Sequence, residues 1–215
     1  AGAAAGVFAA AGALAHRAYP GPGGYLDAAV LYHLRRVDHR HNFSPLWFPL
    51  FLAQEEAPRW HNARNTFGLA QSALALAPLG LHALFQTAAL VALAPRDLAL
   101  CVFAQTLLLV AANKVATAQY FVWWLPFAVL VAAPACVTRR DARRRVVRAA
   151  LAWTAALGAW LAVAYRLEFL GRPVHTELWL LSLLFFAANL YLLLAVLRVV
   201  ALVPPSPETE TYSSS

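Results

Sequence analysis

Long runs of apolar residues, separated by short polar stretches, decide what this sequence can fold into. They cover residues 68–93, 98–112, 120–137, 146–165 and 178–203, and a shorter apolar run opens the chain at 1–15. An α-helix rises about 1.5 Å per residue and has to cross roughly 30 Å of hydrocarbon. The pattern predicts an all-α, polytopic transmembrane helical bundle, in which 98–112 and 120–137 are short spans.

Composition indicates that lipid covers much of this apolar surface. The chain has 215 residues, of which 61% are hydrophobic and 13% charged, whereas soluble proteins carry about a quarter charged residues. A domain of this size cannot hide so many apolar side chains in its own core. We therefore expect an integral membrane protein.

The basic excess does not indicate a nucleic-acid partner. The formal net charge is +7, but the basic residues lie in short stretches between apolar runs. That placement fits membrane anchoring, or contact with phosphate head groups, better than binding to a nucleic-acid duplex. We predict no nucleic-acid partner.

Residues 17–66 form a longer and more mixed region. Leu26, Val30, Leu34 and Val37 have helical spacing and predict one apolar face. Residues 46–53 contain a proline and are too short to span, which predicts an interface-lying or re-entrant segment. We expect residues 1–203 to form the transmembrane domain, with an amphipathic or re-entrant region at about 17–66. Residues 204–215 are predicted to be a disordered polar tail.

The order of the spans sorts the polar regions between two membrane faces. Residues 139–148, read as a loop, lie on one face, whereas residues 17–66, Lys114 and the segment 166–176 lie on the other. Because cytoplasmic loops carry an excess of Lys and Arg, the 139–148 cluster is predicted to be cytoplasmic. The region 17–66 then faces the lumen or the exterior.

The densest polar cluster lies within residues 32–45, YHLRRVDHRHNFSP. On a helix, Arg36 and Arg40 stack on one face, and Asp38 between them can reach His41. Such a strip suits the binding of phosphate, because each guanidinium offers a planar fork of donors. The alternative is an interfacial helix whose arginines snorkel to lipid head groups.

Histidines and an aspartate in the same cluster raise the question of a metal. His33, Asp38, His39 and His41 are ligand types that zinc uses, but His39 and His41 diverge on a helix. We predict no metal site in this sequence. Whether a divalent metal takes part in the chemistry is left open.

A second polar patch, NKVATAQY, lies between two short spans at residues 113–120. An ionisable residue such as Lys114 at that position is a functional candidate, because its isolation from water is costly. The alternative is a polar hairpin turn whose lysine reaches the head groups. Both patches fall on the same face, so the lysine and the arginine strip can converge on one phosphate. A third set, Glu168, Arg172, His175 and Glu177, is read as a surface ion-pair set in a loop.

Three stretches resemble the C-terminal part of the catalytic subunit of the GPI mannosyltransferase I (PIG-M) family. They are YHLRRVDHRHNFSP, NKVATAQYFVWW and LEFLGRPVHTELWLLSLLFFAANLYL, and the likeness runs in order and spacing over residues 25–203. Arg35, Val37, Ala116 and Ala118 depart from the family pattern. These departures change packing more than chemistry.

The resemblance implies a multi-pass enzyme of the endoplasmic reticulum membrane, in the GT-C class of glycosyltransferases. It would move mannose from dolichol-phosphate-mannose to the glucosaminyl-acylphosphatidylinositol precursor, forming the first α1,4-linked mannose of the GPI anchor. A small single-pass accessory subunit is the implied partner, and no cofactor is implied. The implied substrate-binding residues are Arg36, Asp38, Arg40, His41, Asn42, Ser44, Asn113, Lys114, Gln119 and Tyr120.

The family's acidic D-x-D site lies upstream of these motifs, and no D-x-D occurs in these 215 residues. We expect no catalytic residue in this chain, which also lacks methionine, and we expect a fragment that is inactive alone. Two other classes stay open on the residues: a multi-span lipid transporter or flippase, and a non-catalytic membrane scaffold. Transport sites lie near the membrane midplane, whereas the polar residues here cluster at one face.

Overall fold

The computed structural model describes residues 2–21, 23–31, 43–55, 66–113 and 115–200, and every regular element in these ranges is a helix. The α-helices are α1 (Gly2–Ala18), α2 (Trp47–Glu55), α3 (Thr66–Leu93), α4 (Leu98–Ala111), α5 (Leu125–Thr138), α6 (Arg140–Glu168) and α7 (His175–Val200). A π-helical turn covers Leu26–Leu31, and a 3₁₀ helix covers Ala118–Trp123. The all-α prediction is confirmed over the described ranges.

Local sequence explains several helix boundaries. Asp97 caps α4, since its carboxylate accepts the N–H of Leu100 at 2.9 Å. Pro126 lies in the first turn of α5, where its missing N–H costs no hydrogen bond. Gly171 has a φ of 60° in the loop between α6 and α7, a conformation that favours glycine. These residues fix where the chain reverses.

Helices α3 to α7 pack in alternating directions, and specific contacts join α3 to α4, α5 to α6 and α6 to α7. Gln86 on α3 and Gln105 on α4 each donate a side-chain N–H to the other's backbone carbonyl, at 2.9 and 3.2 Å. Trp124 at the start of α5 lies 5.2 Å from Trp153 on α6, ring centre to ring centre. Trp153 donates to Asn189 on α7 at 3.0 Å. Helix α7 packs against α4, α5 and α6, and their buried side chains form the core.

The alternating directions give the bundle two ends. The tryptophan end comprises residues 43–47, 112–113, 115–124 and 169–175: Trp47 packs on His175, and Trp160, about two turns before the end of α6, contacts Phe43 and Phe121. The arginine end gathers residues 94–97, 138–148 and 198–200. The described parts of the two motifs, residues 43–45 and 113 with 115–120, therefore lie toward the same end of the bundle.

Two described helices, α6 and α7, are long and apolar enough to cross a membrane by length and composition. The other apolar stretches of the described chain are shorter, namely Gly80–Leu93, Leu98–Ala111 and Leu125–Thr138. The prediction of a short apolar helix is confirmed for residues 98–112, and for residues 120–137 only in their later part, where α5 begins at Leu125. Crossing by all five apolar runs stays a prediction.

Several predicted boundaries were wrong. Residues 139–148 are not a loop, because α6 begins at Arg140; arginine is a good helix former and its long side chain can point outward. Residues 120–137 are not one helix, because a 3₁₀ helix precedes α5 and turns the ring of Phe121 into the core. The loop after α6 is only 169–174, so Glu168 and Glu177 lie in helices. Of the predicted amphipathic helix at 26–37, the described part is π-helical.

Candidate functional site at the tryptophan end

The end of the first polar motif is buried between helices. Phe43 is 8% exposed, Ser44 is fully buried, and Trp47 at the start of α2 is 2% exposed. The Ser44 hydroxyl accepts the N–H of Leu46 at 3.3 Å, and the Ser44 carbonyl accepts the N–H of Trp47 at 3.1 Å. The serine therefore shapes the turn that leads into α2.

Two tryptophans from the last two helices hold this buried segment by its backbone. Trp160 on α6 donates its indole N–H to the carbonyl of Phe43 at 3.1 Å. Trp179 on α7 donates to the carbonyl of Pro45 at 3.0 Å. A buried carbonyl left without a partner costs about 1–3 kcal/mol, so these bonds decide where the segment can lie. We call them the tryptophan clamps.

Ring contacts between α2 and the start of α7 support the tryptophan clamps. The Trp47 ring lies 5.4 Å from Phe48 and 6.1 Å from His175, and the His175 ring stacks on Phe51 at 5.9 Å. Trp179 also packs on Phe48 at 5.9 Å. Helix α2 is thus fixed against the start of α7 by ring contacts, which add to simple burial.

The second motif is shaped by its own polar side chains. The Asn113 side-chain oxygen accepts the N–H of Val115 at 3.3 Å, and this bond forms a turn after α4. The Thr117 carbonyl accepts the N–H of Tyr120 at 3.1 Å, which opens the 3₁₀ helix. The Tyr120 ring then packs on Trp123 at 4.5 Å. The result is a compact turn rather than a continuous helix.

The ring of Trp160 contacts residues from both motifs. Its centre lies 6.5 Å from Phe43 and 6.4 Å from Phe121, in edge-to-face geometry in both cases. Phe121 also packs on Phe185 of α7 at 5.1 Å. The first described residue of the first motif and an aromatic residue of the second motif therefore meet on one side chain of α6. This contact fixes Phe43 and Phe121 relative to each other.

Four of the predicted substrate-binding residues can be placed, and all four lie at the tryptophan end. Ser44 is buried, Asn113 and Tyr120 are half-buried, and Gln119 is exposed. The other six, Arg36, Asp38, Arg40, His41, Asn42 and Lys114, lie outside the described residues. The phosphate-binding strip therefore stays a prediction, although described residues adjoin it in sequence.

Two buried polar atoms near this turn, the Thr117 hydroxyl oxygen within the second motif and the Trp124 indole nitrogen just after it, have no partner in the described part of the chain. The Thr117 hydroxyl oxygen is buried and makes no hydrogen bond to the described residues around it. A buried hydroxyl without a partner is unfavourable, and a polar group entering this end of the bundle would relieve it. Over the same ranges, no three His, Cys, Asp or Glu side chains cluster as metal ligands do.

Sequence reasoning missed the clamps. Trp160 lies within a predicted span, and Trp179 lies just inside the next apolar run. One signal was available for Trp160. Tryptophan in membrane proteins is enriched at the interfaces, so a tryptophan eight residues before the end of a helix is a candidate for a polar contact inside the bundle, although the buried indole nitrogens of Trp47 and Trp124 have no acceptor among the described residues.

Comparison with known proteins gives consistent matches. The profile of the family described as Mannosyltransferase (PIG-M) matches residues 3–197. A GPI mannosyltransferase 1 from Neurospora crassa is 35% identical over 184 residues, which cover 84% of this chain and 36% of that protein. One from Trypanosoma brucei brucei is 34% identical, covering 81% of this chain and 41% of that protein.

A vertebrate relative agrees with these two. The GPI alpha-1,4-mannosyltransferase I catalytic subunit of Danio rerio is 35% identical, covering 81% of this chain and 40% of that protein. No solved structure gives a significant match. The chain spans roughly two fifths of the length of these relatives. It belongs to the PIG-M mannosyltransferase family.

Proposed function

We propose that the full-length protein carrying this chain transfers the first, α1,4-linked mannose onto the GPI precursor. The donor is dolichol-phosphate-mannose and the acceptor is glucosaminyl-acylphosphatidylinositol. Family membership and the printed names of the relatives support the reaction class. Both substrates are amphiphiles with a phosphate at the membrane surface, which suits polar motifs next to apolar helices.

The reaction is a displacement with inversion at the anomeric carbon. A hydroxyl oxygen of the acceptor glucosamine attacks carbon 1 of mannose, and the bond from that carbon to the dolichyl-phosphate oxygen breaks. Dolichyl phosphate leaves with the electron pair, and the proton of the acceptor hydroxyl passes to a base. The family's D-x-D motif, the candidate for that base, does not occur in these 215 residues. Cationic side chains aimed at the leaving phosphate lower the barrier.

This chain's part in the reaction is to hold phosphate and sugar. Arg36, Arg40 and Lys114 stabilise the leaving dolichyl phosphate or hold the acceptor phosphate. His41, Asn42 and Gln119 orient sugar hydroxyls. Asp38 orients the arginine beside it, and Ser44, Asn113 and Tyr120 shape the two turns that carry the other residues.

The observation that supports this assignment best is the double contact of Trp160. Its ring touches Phe43 and Phe121, which adjoin the arginine motif and the lysine motif respectively. In the proposed reaction, cations from both motifs surround one phosphate. Because Trp160 on α6 contacts a residue of each stretch, it holds the two stretches close together.

The cellular setting is part of the same proposal. The protein is a multi-pass protein of the endoplasmic reticulum membrane, with the tryptophan end lumenal and the arginine end cytoplasmic, as the excess of basic residues at that end favours. It works with a small single-pass accessory subunit. Attaching a glycosylation acceptor site in the 169–174 loop tests the orientation: modification is expected there, and modification of a site in the 94–97 loop instead would reverse it.

The activity is tested in cells that lack the first GPI mannosyltransferase. Membranes from cells expressing the full-length protein are supplied with radiolabelled dolichol-phosphate-mannose, and the labelled GPI precursor is measured. We expect one mannose to be added to glucosaminyl-acylphosphatidylinositol. A lipid flippase would move the precursor between leaflets without labelling it, and a scaffold would do neither, so unlabelled precursor at normal expression contradicts the proposal.

A further inference from the structure

The arginine end carries a surface of unusual charge on α6. Five of its first nine residues are arginine, Arg140, Arg143, Arg144, Arg145 and Arg148, and all five are exposed. Ala142 and Ala149 face the other way and are fully buried against the bundle. We call these five residues the arginine ladder. It covers the outer surface of the helix over a length of about 12 Å.

The described acidic groups of this end do not neutralise the ladder. Asp97 caps α4 by accepting the N–H of Leu100, and Asp141 lies 3.7 Å from Arg139, which precedes the ladder. Arg96 and Arg198 are also exposed at this end. The described part of the arginine end therefore has a strong positive excess. An anionic partner outside the described chain is electrostatically favoured.

The position of the ladder at the start of α6 adds to the effect of the positive charge. A helix N-terminus carries a partial positive charge, so cations there are unfavourable and anions favourable. Arg140 and Arg143 lie in the first turn of this 29-residue helix, together with Asp141, and the other three ladder arginines follow in the next two turns. Bound anions would relieve the repulsion among these arginines and, in the first turn, their repulsion from the helix dipole.

The apolar part of α6 sets the depth of the ladder in a bilayer. Residues 149–165 contain no charged residue and are about 25 Å long as a helix, which approaches the thickness of the hydrocarbon. When α6 crosses a bilayer, the ladder lies in the head-group layer, which is roughly 5–8 Å deep on each side, and just beyond it. The Arg148 Nε donates to the Arg144 carbonyl at 3.2 Å, so this side chain runs back toward the helix start and away from the apolar part.

We propose that the arginine ladder binds the head groups of anionic phospholipids in the leaflet at the arginine end. The ligand class is a phosphodiester lipid with net negative charge, recognised by several guanidinium groups along one helix. The depth of the ladder favours a lipid over a soluble anion. This inference does not depend on the transferase reaction, and it concerns the opposite end of the bundle.

The test measures the lipid selectivity of the full-length protein in bilayers. Spin-labelled phosphatidylserine and spin-labelled phosphatidylcholine are compared in phosphatidylcholine membranes, and the fraction of each held at the protein surface is read from the spectra. We expect phosphatidylserine to be preferred severalfold and the preference to weaken with salt. Equal retention of the two lipids by the unaltered chain would overturn the proposal.

Matched variants separate the ladder from net charge. Arg144→Gln with Arg145→Gln removes two ladder charges, and Arg166→Gln with Arg172→Gln removes two exposed charges at the tryptophan end. We expect the first pair to lower the preference by about threefold or more and the second to leave it unchanged. Equal losses in the two pairs would mean that overall charge, not the ladder, selects the lipid.

Two further arms complete the test. Arg144→Lys with Arg145→Lys keeps the charge, so most of the preference should remain; loss of the preference in this pair would contradict an electrostatic site. Inorganic phosphate, compared with chloride at equal ionic strength, should not displace the labelled lipid. Displacement by phosphate would identify a site for a free anion and overturn the assignment to lipid.

Discussion

At the tryptophan end the bundle closes around a buried segment of backbone, whereas at the arginine end it presents exposed charge. The first end is fixed by directional bonds, the indole N–H groups of Trp160 and Trp179 on two carbonyls, together with a chain of ring contacts. The second has a small core, in which Ala135, Ala142 and Val199 pack together beneath long flexible arginines.

The difference teaches which end can support precise chemistry. Positioning within fractions of an ångström needs buried, directional contacts, because a misplaced group loses much of its catalytic effect. Contact with a fluid layer of head groups needs only charge at the right depth. One short bundle provides both, and its alternating helices keep them apart.

The largest effect is expected when the predicted cations beside the tryptophan end are removed. Arg40→Ala with Lys114→Ala in the full-length protein should lower kcat/KM for mannose transfer by about a hundredfold or more, because charge on the leaving phosphate is no longer offset. Radiolabel transfer measures it. Arg166→Ala with Arg172→Ala, two exposed arginines at the same end, is the control of equal charge. Undiminished transfer by the Arg40→Ala, Lys114→Ala protein would contradict the hypothesis that these two cations bind a substrate phosphate.

The next effect tests the clamp on the first motif. Trp160→Phe keeps an aromatic ring but removes the N–H that binds the Phe43 carbonyl. We expect a loss of about 1–3 kcal/mol in stability and at least about a tenfold drop in kcat/KM, because the end of the motif is no longer held. Stability is read from unfolding in detergent and activity from radiolabel transfer.

Trp153→Phe is the matched control for that variant. Trp153 lies on the same helix and donates its N–H to Asn189 of α7 rather than to the backbone of either motif. Its ring also packs on Phe121 and Trp124, and a phenylalanine ring can keep these contacts, so the substitution mainly leaves the buried Asn189 amide oxygen unpaired. We expect a similar loss of stability with no more than about a threefold drop in kcat/KM. If activity simply followed stability in the two variants, Trp160 would be a structural residue only.

A smaller effect is expected from the second clamp. Trp179→Phe removes the N–H that binds the Pro45 carbonyl, but Trp179 is only half-buried, and water can replace the lost donor in part. A severalfold drop in kcat/KM is expected, with a smaller loss of stability than for Trp160→Phe. A larger effect than that of Trp160→Phe would reverse the order of importance of the two clamps.

The smallest effect lies at the arginine end outside the ladder. Arg96→Gln changes an exposed side chain in the short loop before α4. We expect the free energy of unfolding to stay within about 0.5 kcal/mol and kcat/KM within about twofold, because no buried contact is lost. Loss of transfer in this variant would show that the two ends are not independent.

Sequence predicted the helices well because their apolar runs are long and uninterrupted. The runs at 98–112 and 178–203 correspond to α4 and α7 within a few residues. Helix ends were harder to predict where charged residues lie within a helix. Residues 140–148 look like a loop by their polarity, but they form the first turns of α6, in which small residues such as Ala142 are buried against the bundle. Polarity reports exposure, and an exposed helix face is as polar as a loop.

The candidate site was singled out by residue type and stays a prediction. Polar motifs stand out in an apolar sequence, and the candidates that the structure describes, such as Asn113 and Gln119, lie at one end of the bundle. Trp160 was not found, because an apolar run gives no indication of which turn of one helix faces which carbonyl of a distant segment. Its bond to Phe43 joins residues 117 positions apart, and only packing in three dimensions determines that pairing.

The most direct test of the central claim, that both motifs converge at the tryptophan end, is a cross-linking experiment. Cys101 and Cys136 are replaced by alanine, a protease site is placed in the 94–97 loop, and Arg40→Cys is combined with Lys114→Cys or with Arg144→Cys. A short bismaleimide should keep the two halves joined after cleavage in the first pair and not in the second. Cross-linking of the Arg40–Arg144 pair in place of the Arg40–Lys114 pair would contradict the account.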